Sequence, residues 1–141
     1  MMYDDKILSS CTARILEIYN KNKNKDNNFT LLLMSFAGLV CLLDKDVIRC
    51  IFYDFRFPDW FKPEKNYKIN GETEKESAIR HMRNSLCHFK LNGENIIADS
   101  NNQISCVNFI DQETNFKCKM TVEQMKELFL LMANKVVSAN K

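Results

Sequence analysis

Glycine and proline are scarce in this chain, with three copies of the first and two of the second. Both prolines fall between Pro58 and Gly71, so interruption of regular structure is concentrated there, and no low-complexity segment or internal repeat is found elsewhere. A strong excess of either charge is lacking too. A formal net charge of +2 permits an anionic partner such as RNA but falls short of a basic protein built to coat nucleic acid. The most apolar run, Leu31 to Leu43, has 13 residues interrupted by Ser35 and Gly38, too short for a membrane span. The start, MMYDDKILSSC, lacks a basic region followed by a long apolar stretch, so no signal peptide is expected and the chain is read as cytoplasmic, with no membrane partner. Six cysteines stand at 11, 41, 50, 87, 106 and 118 without a CxxC pair or zinc-finger spacing. They read as reduced, mostly core thiols, which leaves neither a disulfide framework nor a metal site.

What is present is enough apolar material for one compact domain over residues 1–141, at 45% hydrophobic content. Ile7, Leu8, Cys11, Ile15, Ile18 and Tyr19 form the stripe of an amphipathic first helix, ended by the Lys/Asn/Asp-rich stretch 21–28. After Asn28 the chain is apolar nearly all round, which suits a second helix buried on several sides and reaching at least Leu43. Residues 44–57 either extend it or form a short separate helix. An irregular connection follows, with Trp60 and Phe61 expected to pin it to the core.

Thr73 and Glu76 have capping-box spacing and start a third helix, whose residues Ala78, Ile79, Met82, Leu86 and Phe89 make its core face. Asn92-Gly93 reads as a turn. Apolar stretches at 96–98, 104–110 and 116–120, separated by Asp, Asn and Gln, read as a small antiparallel meander. Thr121 and Gln124 repeat the capping box and open a last helix with Val122, Met125, Leu128, Phe129, Met132 and Val136 inward. The fold expected is mainly α (α+β), a helical bundle with a small antiparallel three-stranded sheet before the last helix.

Both histidines of the chain lie in Arg80-His81-Met82-Arg83-Asn84-Ser85-Leu86-Cys87-His88-Phe89. At about 100° per residue, Ser77, His81, Asn84 and His88 fall on one polar stripe, with Arg80 at its edge and Arg83 toward the other side. This stripe is either an acid/base site or simply the solvated side of an amphipathic helix. The two histidines are two turns apart, about 10 Å, so one ion cannot join them within a chain.

Arg83-Asn84-Ser85-Leu86-Cys87-His88 resembles the signature of HEPN domains: an arginine, a polar residue, three further residues and a histidine. The element order over residues 5–138 is similar to that of small prokaryotic HEPN proteins of plasmids and defence islands. The resemblance implies metal-independent RNA cleavage by attack of the ribose 2′-hydroxyl on the adjacent phosphate, with no cofactor, in a toxin or defence effector. It implies His88 as the acid/base, Arg83 as the phosphate ligand and Asn84 as the group orienting His88 or the phosphate. Arg80 and His81 are added from the helical stripe, and Lys90 as a cation just past His88, as substrate-binding candidates outside the signature. HEPN nucleases pair two signatures across a twofold interface, so a homodimer is expected. An antitoxin partner is expected with the toxin role. Lys90 stands where some HEPN toxins carry a modifiable tyrosine, so that mode of control is excluded at this position. The alternatives are a noncatalytic HEPN module that binds RNA, a nucleotide or a protein partner through the same groove, and a purely structural interaction protein.

Overall fold

The computed structural model describes residues 5–23, 28–64, 66–89, 94–112, 114 and 116–139. The element order is α1 (Asp5–Asn22), α2 (Asn28–Leu42), α3 (Lys45–Ile51), α4 (Glu74–Cys87), β1 (Ile96–Ala98), β2 (Ile104–Ile110), β3 (Lys117–Thr121) and α5 (Val122–Ser138). This is a mainly helical chain with a small antiparallel sheet ahead of its last helix. Its internal contacts group into two units, residues 1–56 with 126–141, and residues 57–125.

In the first unit, α1 buries Leu8, Thr12 and Tyr19, while Ile7 and Ile18 are 62% and 55% exposed and Cys11 is also outside. The expected stripe contained two adjacent edges, and only one turns inward. Tyr19 packs edge-on against Phe129 of α5, ring centres 5.2 Å apart, and so sets the rotation of the helix. The inward edge thereby includes a hydroxyl: Thr12, fully buried, donates to the Leu8 carbonyl at 2.8 Å and is satisfied locally. Along α2 the buried residues are Leu32, Ser35, Phe36, Leu39 and Val40, a helical face, whereas Met34 is 66% exposed. The all-round apolar sequence is therefore not buried on every side. Leu43 and Asp44 break the helix, and the Asp44 carboxylate accepts from the Val47 amide at 2.9 Å to cap a separate α3.

In the second unit, the described residues of 57–73 form no helix, yet aromatic contacts anchor the stretch. Phe57 and Phe61 stack at 4.2 Å, Phe61 is buried, and Trp60 stands half-exposed against it. The Glu64 amide donates to the Lys117 carbonyl at 2.7 Å, adding a single bridge to β3. Gly71 takes φ +84 in the turn closed by the Glu72 amide and Ile69 carbonyl, a backbone region glycine enters without a Cβ clash. Thr73 then caps α4, its hydroxyl accepting from the Glu76 amide at 3.1 Å.

The sheet order is β1-β2-β3, antiparallel throughout, with Val107 opposite Ile96 and Met120, and a register shift between Ile97 and Ala98. Val107, Phe109, Cys118 and Met120 are buried, and the alternating Lys117, Lys119 and Thr121 face out, as period-2 geometry requires. Thr121 and Gln124 close a reciprocal capping box at 2.9 and 3.0 Å, starting α5 where the sheet ends. Among the described residues no helix is long and apolar enough to cross a membrane.

Candidate functional site at the end of helix α4

The site residues read from the sequence belong to α4 and its C-terminal cap, within the second unit. Glu76, Ser77, Ala78, Ile79, His81, Met82 and Ser85 are all buried, so this helix is covered on both flanks. That removes one of the two readings of the polar stripe, a simply solvated helix side: Ser77 and His81, two of its four members, are 0% and 1% exposed. Leu86 and Phe89, assigned to the core face, are only half-buried, although the Phe89 ring meets that of Phe109 at 5.9 Å.

Of the buried polar residues of this helix, Ser77, His81 and Ser85 each bond a specific partner. Nδ1 of His81 lies 2.9 Å from Oδ2 of Asp111, and Nε2 lies 2.8 Å from the Tyr67 carbonyl oxygen. Phe116 stacks on the ring at 5.0 Å and Tyr67 meets it edge-on at 6.4 Å. The Thr114 hydroxyl is 3.3 Å from the same Nδ1. His81 therefore offers no ring nitrogen to solvent. A backbone carbonyl accepts only, so Nε2 carries a proton, and a carboxylate accepts only, so a second proton lies between Nδ1 and Oδ2. One turn on, Nδ2 of Asn84 donates to the same Asp111 oxygen at 3.3 Å, and the Ser85 hydroxyl accepts from the Ile110 amide at 2.9 Å. Residues 110 and 111 thus grip the last two turns of α4 at three points.

At the N-terminal half, Ser77 donates to Glu72 at 3.0 Å and accepts from the Ile69 amide at 2.9 Å. Arg80 pairs with the other Glu72 oxygen at 2.9 Å, its side chain 43% exposed against 4% for the acid. This cation is engaged in holding the residue-72 turn. Arg83 and Asn84 are half-exposed, while His88 is exposed as the C-cap of α4, at φ −118, with its amide bonded to the Ser85 carbonyl at 3.2 Å. Among the described residues no hydrogen bond joins the His88 ring to Asn84, whose donor is directed to Asp111 instead. Lys90 lies outside the described residues.

The residues that sequence reasoning missed are Asp111, Thr114 and the Tyr67 carbonyl. Asp111 stands in a polar stretch read only as a turn. The available signal was parity: counting by twos along β2 from Val107 and Phe109 reaches Asp111 on the buried side. A carbonyl partner has no signal in side-chain identity at all.

Burial pushes the Cys118 thiol from its ordinary value of 9.0 up to about 12. Burial likewise raises the Tyr67 phenol, with the nearby charges of Glu74 and Cys118 adding to the effect. The other cysteines differ from the expectation of core thiols: Cys11, Cys41, Cys50 and Cys87 are exposed and Cys106 is half-buried. Among the described residues no cluster of three or more His, Cys, Asp or Glu side chains could hold a metal ion.

No curated protein and no solved structure shows a significant match to the chain. A family model described as HEPN pEK499 p136 does match, over residues 2–141. With nearly the whole sequence covered, the chain belongs to this HEPN family.

Proposed function

We propose that this protein is a metal-independent endoribonuclease, acting in the cytoplasm as a toxin or defence effector. The observation carrying the reading is the unequal fate of the two histidines. His81 is enclosed with both nitrogens bonded, whereas His88, five residues after Arg83, stands exposed at a helix end where an imidazole can exchange protons.

Cleavage by the adjacent 2′-hydroxyl removes its proton, forms the bond from that oxygen to phosphorus, and expels the 5′-oxygen, which takes up a proton. The products are a 2′,3′-cyclic phosphate and a free 5′-hydroxyl. One base and one acid are needed, and each chain presents one accessible imidazole. A homodimer about a twofold axis supplies the pair, His88 of one copy accepting the proton and His88 of the other donating it. Arg83 binds the phosphate and stabilises its growing charge. Arg80, paired with Glu72, adds only long-range positive charge, and an antitoxin protein would bind over the same surface.

The test is incubation of the purified protein with mixed RNA in the presence of a chelator. Cleavage is expected to persist, and to fall by at least about 100-fold in both Arg83→Ala and His88→Ala. RNA or nucleotide binding without cleavage by the unaltered protein would replace this reading with that of a noncatalytic module. Growth arrest on expression, relieved by His88→Ala, is the expected sign of the toxin role.

A further inference from the structure

We infer that Asp111, acting with His81, sets the polarity of the Asn84 amide, and that Asn84 thereby becomes the acceptor that selects ribose by the 2′-hydroxyl of a nucleotide flanking the one whose 2′-oxygen attacks. This rests on the reading of the α4 end as an RNA site. The geometry supplies the rest.

Oδ2 of Asp111 receives two neighbours, His81 Nδ1 at 2.9 Å and Asn84 Nδ2 at 3.3 Å. An amide placed beside a carboxylate oxygen must turn its NH2 toward it. The branch left on the far side is the carbonyl Oδ1, and Asn84 is half-exposed. Among the described residues Oδ1 makes no hydrogen bond of its own. The motif therefore presents an acceptor there, and the donor that distinguishes RNA from its 2′-substituted analogues is the 2′-hydroxyl. The proton between His81 and Asp111 does not alter this outcome: whichever of the two holds it, Oδ2 still accepts from Asn84.

The same network makes a reversal available. In Asp111→Asn the carboxylate charge is gone, and a buried imidazolium without a counter-charge is disfavoured. A neutral His81 keeps its Nε2 proton on the Tyr67 carbonyl and accepts at Nδ1 from the new amide. That amide's second N–H then donates to Asn84 Oδ1, and Asn84 turns its NH2 outward. Each of these bonds has a donor and an acceptor, so the variant is expected to fold while the presented group changes from acceptor to donor.

The experiment measures affinity in a His88→Ala background, which prevents turnover. The probes are an RNA oligonucleotide and the same sequence with 2′-fluoro sugars, which cannot donate a hydrogen bond. The background protein is expected to prefer the RNA by roughly three- to tenfold, the range of one hydrogen bond. Adding Asp111→Asn or Asn84→Ala should bring the ratio close to one while affinity for the fluoro probe holds. Asn84→Ala changes only a half-exposed helical residue and reports even if the Asp111 variant fails to fold. An unchanged ratio in the folded variants, or equal affinities in the background, overturns the inference. Cleavage by the unaltered protein with an unmoved ratio would refute the inference alone. A ratio that collapses as expected with no cleavage by the unaltered protein would uphold it and refute the ribonuclease reading.

Discussion

Cys118 shows how much the surroundings of one side chain decide. Its thiol, held neutral by burial up to about 12, ionises in the unfolded chain near its ordinary value of 9.0. The native state therefore binds more protons above that value, and stability present below pH 9.0 is lost as pH rises toward about 12. The slope from this group is at most about 1.4 kcal/mol per pH unit. Urea melts at pH 8 and 10 should show that loss, and Cys118→Ala should reduce it while lowering stability at both values through the space it leaves. A pH response unchanged in that variant would refute the assignment. The same burial makes Cys118 the last thiol to react: a maleimide should label Cys11, Cys41, Cys50 and Cys87 quickly and Cys118 only after denaturation. At this scale the sequence was least legible. Cysteine identity suggested core, and His81 lay on a polar stripe, because residue type and helical angle do not register what packs alongside. Met82, Met125 and Phe129 were read correctly as core, since apolar bulk at helical spacing has few other places to go.

Elements were legible where a local rule and a tertiary need agree. The three strands and the start of α5 follow from alternation, turn residues and the Thr121/Gln124 box, and the observed strand bounds differ from expectation by one residue only at β3. Thr121→Ala removes the hydroxyl that accepts from the Gln124 amide and should cost about 1 kcal/mol, read as a lowered denaturation midpoint at unchanged slope. A cost within about 0.3 kcal/mol of zero would show that β3 alone fixes the start of the helix. The face of α1 was less legible because two edges of the stripe, at Ile7 and Leu8, are equally apolar in sequence. A ring contact distant in the chain, Tyr19 with Phe129, makes the choice. The break at Asp44 was likewise unresolved, because apolar residues resume at Val47 after three charged ones, a pattern an unbroken helix also allows, and a single carboxylate cap decides.

For the molecule as a whole, the family model spanning residues 2–141 extends over both contact units. The proposed reaction needs two imidazoles, and that places a requirement on assembly: sedimentation at working concentration should give twice the chain mass of 16.6 kDa. A monomer that still cleaves RNA would remove the twofold arrangement from the proposal. The motif itself was legible, being contiguous in sequence, but its support was not, because Asp111 and Tyr67 reach α4 only through the fold. The bond from His81 to the Tyr67 carbonyl carries a further consequence. Any residue at position 67 brings a carbonyl, so point substitutions there leave that bond available, and only the ring contacts change. What the bond constrains is the number of residues between Phe61 and Gly71. Insertion or deletion of one residue in that stretch would withdraw the acceptor from a buried imidazole, a defect that no choice of side chain at position 67 would repair.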